Sequence, residues 1–163
     1  MTITVGVDTY IDLATANAYA LNRSDAWLEA TDELKEFALT EAAEYLDSTY
    51  AFKGTITDKT QPLAWPRSNV TDTEGREIDP ATVPAKVQSA QARLAFIRLA
   101  GPLVVTPDSG KVTELQAGSV KMKFADGQAV NEADRFAPVN RLLSGLYNGR
   151  AGQTLMTARL TKG

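Results

Sequence analysis

At 163 residues, with 44% hydrophobic and 23% charged side chains, the chain fits one globular domain large enough to bury a core. It contains no Cys and no His, which excludes disulfides, thiolate metal sites and Ser–His or Cys–His nucleophile pairs; no enzymatic activity, cofactor or metal is expected. The formal charge of −3 hides a polarity, because residues 1–50 carry ten acids against Arg23 and Lys35, whereas Arg135, Arg141, Arg150, Arg159 and Lys162 meet no acid from position 135 onward.

No apolar run approaches the roughly 18 residues of a membrane span. Met1-Thr2-Ile3-Thr4-Val5 has neither a basic start nor a signal-type apolar stretch, so folding in a cytoplasm is the expectation. Asp12 is placed to cap a helix over 13–22, Ser24 a short one over 25–30, and Thr31 a long one over 32–50. In the long helix Leu34, Phe37, Ala38, Ala42, Tyr45, Leu46 and Thr49 recur at three- and four-residue spacing. Asp32, Glu33, Lys35, Glu36, Glu41 and Glu44 take most of the other face.

Residues 51–83 change character. Gly54, Pro62, Pro66, Gly75 and Pro80 punctuate a segment without helical periodicity, read as one extended loop. A loop of that length in a small domain needs pinning. The expected pin is the stretch Leu63, Ala64, Trp65, Pro66 and Arg67, with Trp65 as apolar anchor and Arg67 finding a carboxylate or a carbonyl. Pro84 then opens a helix over 85–100. Val87, Ala90, Leu94 and Ile97 make it apolar around most of its girth, interrupted by Lys86, Gln88, Ser89, Gln91, Arg93 and Arg98, so it is the expected central helix.

Two alternating runs, Lys111–Leu115 and Ser119–Phe124, predict a β-hairpin over about 111–124. Phe136, Val139, Leu142, Leu143, Leu146 and Tyr147 predict a last helix over 138–147. The fold expected is mainly α. It is a bundle of four to five helices with one β-hairpin and a long pinned loop in a domain of residues 1–149, followed by an extended C-terminal tail, 150–163.

Candidate chemistry is sparse. No glycine-rich phosphate loop is present. Asp126, Asn131, Glu132 and Asp134 match no cation-loop spacing and read as a solvated turn. For nucleic acid, Lys121, Lys123, Phe124 and Arg135 could form a stacking surface on and beside the hairpin. Phe124, however, falls on the alternating apolar face, and the sequence pI near 5.0 disfavours a dedicated binder.

One ordered set of motifs is recognisable. It runs from Tyr10-Ile11-Asp12-Leu13-Ala14-Thr15-Ala16-Asn17-Ala18-Tyr19 through Trp27 and Thr31-Asp32-Glu33-Leu34-Lys35. It continues with Ala43-Glu44-Tyr45-Leu46-Asp47, Gln61-Pro62-Leu63-Ala64-Trp65-Pro66-Arg67 and Val83-Pro84 before a helix of the Ala-Gln-Ala-Arg-Leu-Ala type. This order resembles the DnaT-like single-stranded-DNA-binding proteins of tailed phages. It is also similar to the head-tail connector (adaptor or head-completion) proteins of such phages, and covers about residues 8–125.

The connector resemblance, taken with the charge polarity, gives the main expectation of a structural head-to-tail adaptor of a tailed bacteriophage. It implies a homo-oligomeric ring of about twelve subunits in the virion neck. Its partners would be the portal protein, a tail, stopper or nozzle protein and, non-specifically, passing double-stranded DNA. Arg150, Gln153, Leu155, Met156, Arg159, Leu160 and Lys162 would form the portal-docking tail. Asp32, Glu33, Glu36, Glu41 and Glu44 would face the channel or a neighbouring subunit. The alternative expectation is a single-stranded-DNA-binding protein.

Overall fold

The computed structural model describes residues 2–104, 114–117, 120–123 and 132–150. The fold is mainly α. Three N-caps act where the sequence places them. Asp12 accepts from the Thr15 N–H at 2.7 Å and opens α1 (Leu13–Ala20), and Ser24 accepts from the Trp27 N–H at 3.3 Å ahead of α2 (Asp25–Glu29). Thr31 accepts from the Leu34 N–H at 3.5 Å and starts α3 (Asp32–Thr49). Helix α1 stops two residues short of the expected end, and Asn22 takes a positive φ of 61° in the turn that follows.

The long segment after α3 is less structureless than its composition implies. Strand β1 (Tyr50–Phe52) continues directly from the helix, and β2 (Thr55–Ile56) pairs antiparallel with β3 (Arg67–Ser68). Gly54 turns the chain between β1 and β2 at φ +71°, where an added Cβ would run into the Ser68 carbonyl oxygen and approach Val70 Cγ2 to 2.6 Å. Asp72 folds the next turn, accepting from the N–H groups of Glu74 and Arg76 at 2.8 and 2.9 Å.

Helix α4 (Ala85–Ala100) follows Pro84 and packs mainly against α3, with α5 (Glu132–Leu142), α1 and α2 also on it. Trp27, Leu39, Leu46, Val87, Leu94, Phe136, Val139 and Leu143 fill the core. Gln91, wholly buried on α4, accepts from the Tyr10 N–H at 3.0 Å and donates to the Leu39 carbonyl at 2.9 Å and to the Thr9 hydroxyl. One amide side chain thereby ties the N-terminal segment to both central helices.

The hairpin forms as β4 (Glu114–Ala117) and β5 (Val120–Lys123), within the expected span. The last helix does not match its expected bounds. It spans Glu132–Leu142, with Pro138 inside it and not at its start. Burial of Phe136, stacked on Tyr45 with ring centroids 5.2 Å apart, fixes the helical turns before Pro138. Gly145, at φ +85° with Thr73 Cγ2 only 2.6 Å from any added Cβ, ends the helical periodicity early.

Residues Tyr147–Arg150 then form β6, antiparallel to β1 with Tyr50 opposite Arg150. The Tyr50 hydroxyl donates to Asn140 Oδ1 at 2.7 Å, fastening this small sheet to α5. Arg150 therefore belongs to the folded body and not to a tail.

Candidate nucleic-acid interface

The predicted loop pin is assembled as a unit. Trp65 is 2% exposed and meets Phe52 edge-on at 5.6 Å, followed by a cis bond to Pro66, and Leu63 is buried beside it. Arg67 finds carbonyls. Its guanidinium donates to Lys53 O at 2.7 Å, Gly54 O at 2.9 Å, Ala64 O at 3.1 Å and Phe52 O at 3.5 Å. A planar fork suits this task better than an ammonium would.

Asp47 on α3 completes the clamp, accepting from the Ala64 N–H at 2.9 Å and from the Tyr10 hydroxyl. Burial pushes the Asp47 carboxyl above the usual carboxylate range, against the smaller opposite pulls of Tyr10, Ala64 and Arg67. The Tyr10 hydroxyl is pushed far up by its own burial and by the Asp47 charge. This network holds the loop on the bundle.

The acidic residues do not act as one face. Asp32, Glu33 and Glu44 are exposed and Glu36 is half-buried, but Glu41 is ion-paired with Arg98 across the α3–α4 contact. The amphipathic reading of α3 is also rotated at its N-terminal end. Lys35 is buried, 3.6 Å from Asp32, whereas Leu34 and Phe37 are 50% and 43% exposed. Of the tail residues, only Arg150 is among those described; Gln153, Leu155, Met156, Arg159, Leu160 and Lys162 lie outside them, as do Phe124 and Asp126.

Arg135, proposed from sequence for a stacking groove beside the hairpin, is turned inward. It donates to the carbonyls of Pro102 at 2.8 Å, Gly101 at 3.2 Å and Ile97 at 3.3 Å. A cation is thereby placed at the C-terminal end of α4, where free carbonyls and the helix dipole favour it. Lys121 and Lys123 occupy alternate positions of β5.

The cations that do converge come from two helices, α4 and α5. Lys86 and Arg93 of α4, Pro138, Arg141 and Leu142 of α5, and Tyr19 of α1 line a cleft of about 340 Å³ with no acid in its lining. Arg23 adds a fourth cation at the rim, its guanidinium 4.5 Å from the Tyr19 ring centroid. Arg93 lies over the same ring at 5.8 Å. Among the described residues Lys86 and Arg141 have no carboxylate partner within ion-pair distance. Lys86 and Arg93 are seven residues apart on one helix and so share a face, which is the signal the sequence held for this site.

Among the described residues no group of three or more acids stands close enough to hold a metal ion, and no helix is long and apolar enough to cross a membrane. An anion-binding cleft is what the exposed charge offers. Residues 2–162 match the profile of a family described as "Putative DnaT-like ssDNA binding protein". The chain belongs to this family. No curated protein and no solved structure matches the chain. In this DnaT-like chain the cations that line the cleft sit on α4 and α5, and not on the hairpin that the sequence reading weighed for nucleic acid.

Proposed function

We propose that this protein binds single-stranded DNA, with the cleft between α1, α4 and α5 as its interface. Convergence of Lys86, Arg93 and Arg141 on one acid-free cleft carries the reading. Family membership supports it through the family's description. An overall pI near 5.0 does not oppose a local site, because phosphates respond to the nearby field within about a Debye length and not to distant acids.

Fluorescence anisotropy with a labelled oligonucleotide tests this directly. Four cations, counting Arg23, predict a slope of log K against log salt of at most about −2.8 for a single strand, or roughly a fifty-fold loss between 50 and 200 mM salt. Replacing Lys86, Arg93 and Arg141 together by Ala should abolish most of that slope. Binding that is unchanged in the triple variant would sink the assignment to this cleft.

A second reading, the head-to-tail adaptor of a tailed phage, draws on a different surface. Leu34 and Phe37 are exposed apolar side chains set among Asp32, Glu33 and Glu36. An apolar centre with a charged rim suits a protein partner. Electron microscopy of the full chain mixed with portal particles addresses this reading: rings or bound portals would support it, and free monomers beside bare portals would count against it.

A further inference from the structure

We propose that the cleft reads the phosphate backbone and leaves the bases unstacked, so that its ligand class is a short run of nucleic-acid phosphates with no base requirement. This rests on the nucleic-acid reading above and narrows it. Proteins that hold single strands by their bases interleave exposed aromatic rings with the cations. Among the described residues the two are segregated. The one ring in the cleft, Tyr19, already has the guanidinium groups of Arg23 and Arg93 over it at 4.5 and 5.8 Å and the Phe96 ring at 6.0 Å.

Phe96 in turn leans on Trp27 at 5.0 Å, so it is held within the body. The large aromatic that is exposed among the described residues, Phe37, lies on α3 among acids, with Arg98 over its face at 5.1 Å and that arginine engaged by Glu41. Tyr19 is thus a positioning residue for two cations and not a stacking platform. Arg23, in the turn after α1, is further fixed by donating to the Tyr19 carbonyl at the end of that helix, 2.9 Å away.

The dimensions suit a few phosphates. Lys86 and Arg93 are two helical turns apart, about 10 Å along α4. That distance is enough for the two cations to meet separate phosphates of one strand. Arg141 faces the same cleft from α5. A backbone-reading site of this kind predicts little preference for sequence, and an affinity for a duplex no weaker than for a single strand at equal salt.

Three labelled twelve-nucleotide ligands separate the possibilities in anisotropy titrations of the full chain at 50 mM salt. They are a mixed-sequence single strand, a strand of the same length made of abasic (tetrahydrofuran) units, and a duplex. The abasic strand is expected to bind within about threefold of the mixed single strand, and the duplex at least as tightly. The variant Tyr19→Leu, with its fold checked by thermal melting, should weaken the mixed and abasic strands by the same factor. An abasic strand more than tenfold weaker, or a Tyr19→Leu loss confined to the strand with bases, overturns the inference while leaving the nucleic-acid reading intact. No salt-sensitive binding to any of the three overturns both.

Discussion

Asp47 offers the sharpest test of how the long loop is held. Its two carboxylate oxygens accept from the Ala64 N–H, at 2.9 Å, and from the Tyr10 hydroxyl. Asp47→Ala removes both acceptors and leaves two part-buried donors. Each such donor costs about 1–3 kcal/mol, so a total loss of about 2–4 kcal/mol is expected once partial solvent access is allowed for. Asp47→Asn should behave differently. Its amide oxygen can still accept from Ala64, and its NH2 can donate to the Tyr10 oxygen, since a hydroxyl serves either way. A change under about 1 kcal/mol is expected.

The pH dependence follows from the raised carboxyl of Asp47. The folded state holds the Asp47 proton more tightly than the unfolded chain does. Its contribution is therefore fully present below the unfolded carboxyl value and is lost as pH rises through the higher folded value. The Asn variant lacks this loss, so its stability relative to the natural chain should grow as pH rises across that window. Urea denaturation at a series of pH values measures both effects. Equal cost for the Ala and Asn variants, or a pH-independent difference between Asn and the natural chain, would refute the clamp as described.

Two further predictions concern the same region. Trp65→Ala empties a site that is 2% exposed and loses an edge-on contact with Phe52, so it should lower stability by about 3–5 kcal/mol in the same denaturation assay. A small shift would mean the loop closes over the gap or that Trp65 stabilises little. Gly54→Ala places a Cβ against the Ser68 carbonyl at a positive φ and should cost more than about 2 kcal/mol, with faster proteolysis of residues 54–68. An unaltered cleavage rate would show that the β2–β3 pair does not depend on that turn.

Much of this fold was legible because its signals are local. Asp12, Ser24 and Thr31 cap helices through contacts three residues away, which sequence displays directly. The Trp65–Arg67 pin was legible too, since a tryptophan before a proline in a segment without helical periodicity has few destinations outside a core. What was lost depended on distant partners. The periodicity around Leu146 and Tyr147 was real, but Gly145 and the pairing of Tyr147–Arg150 with Tyr50–Phe52 turned that stretch into a strand. Lys35 is buried and Leu34 exposed because α3 is oriented by its packing on α4, not by its own best apolar stripe.

The cleft was missed for a related reason. Counting charge along the chain pools Arg23 with ten acids and assigns Lys86 and Arg93 to a core helix, so neither looks available. Helix α4 sorts its cations by direction instead. Arg98 turns toward α3, where Glu41 neutralises it, while Lys86 and Arg93 turn toward Tyr19 and α5, where no acid lines the wall. Arg135 goes a third way and is consumed by the carbonyls at the end of α4. A net charge of −3 is the sum of these separate environments and predicts the behaviour of none of them. Among the described residues Lys86 and Arg93 of α4 and Arg141 of α5 come to one place, with Arg23 of the turn after α1 beside them.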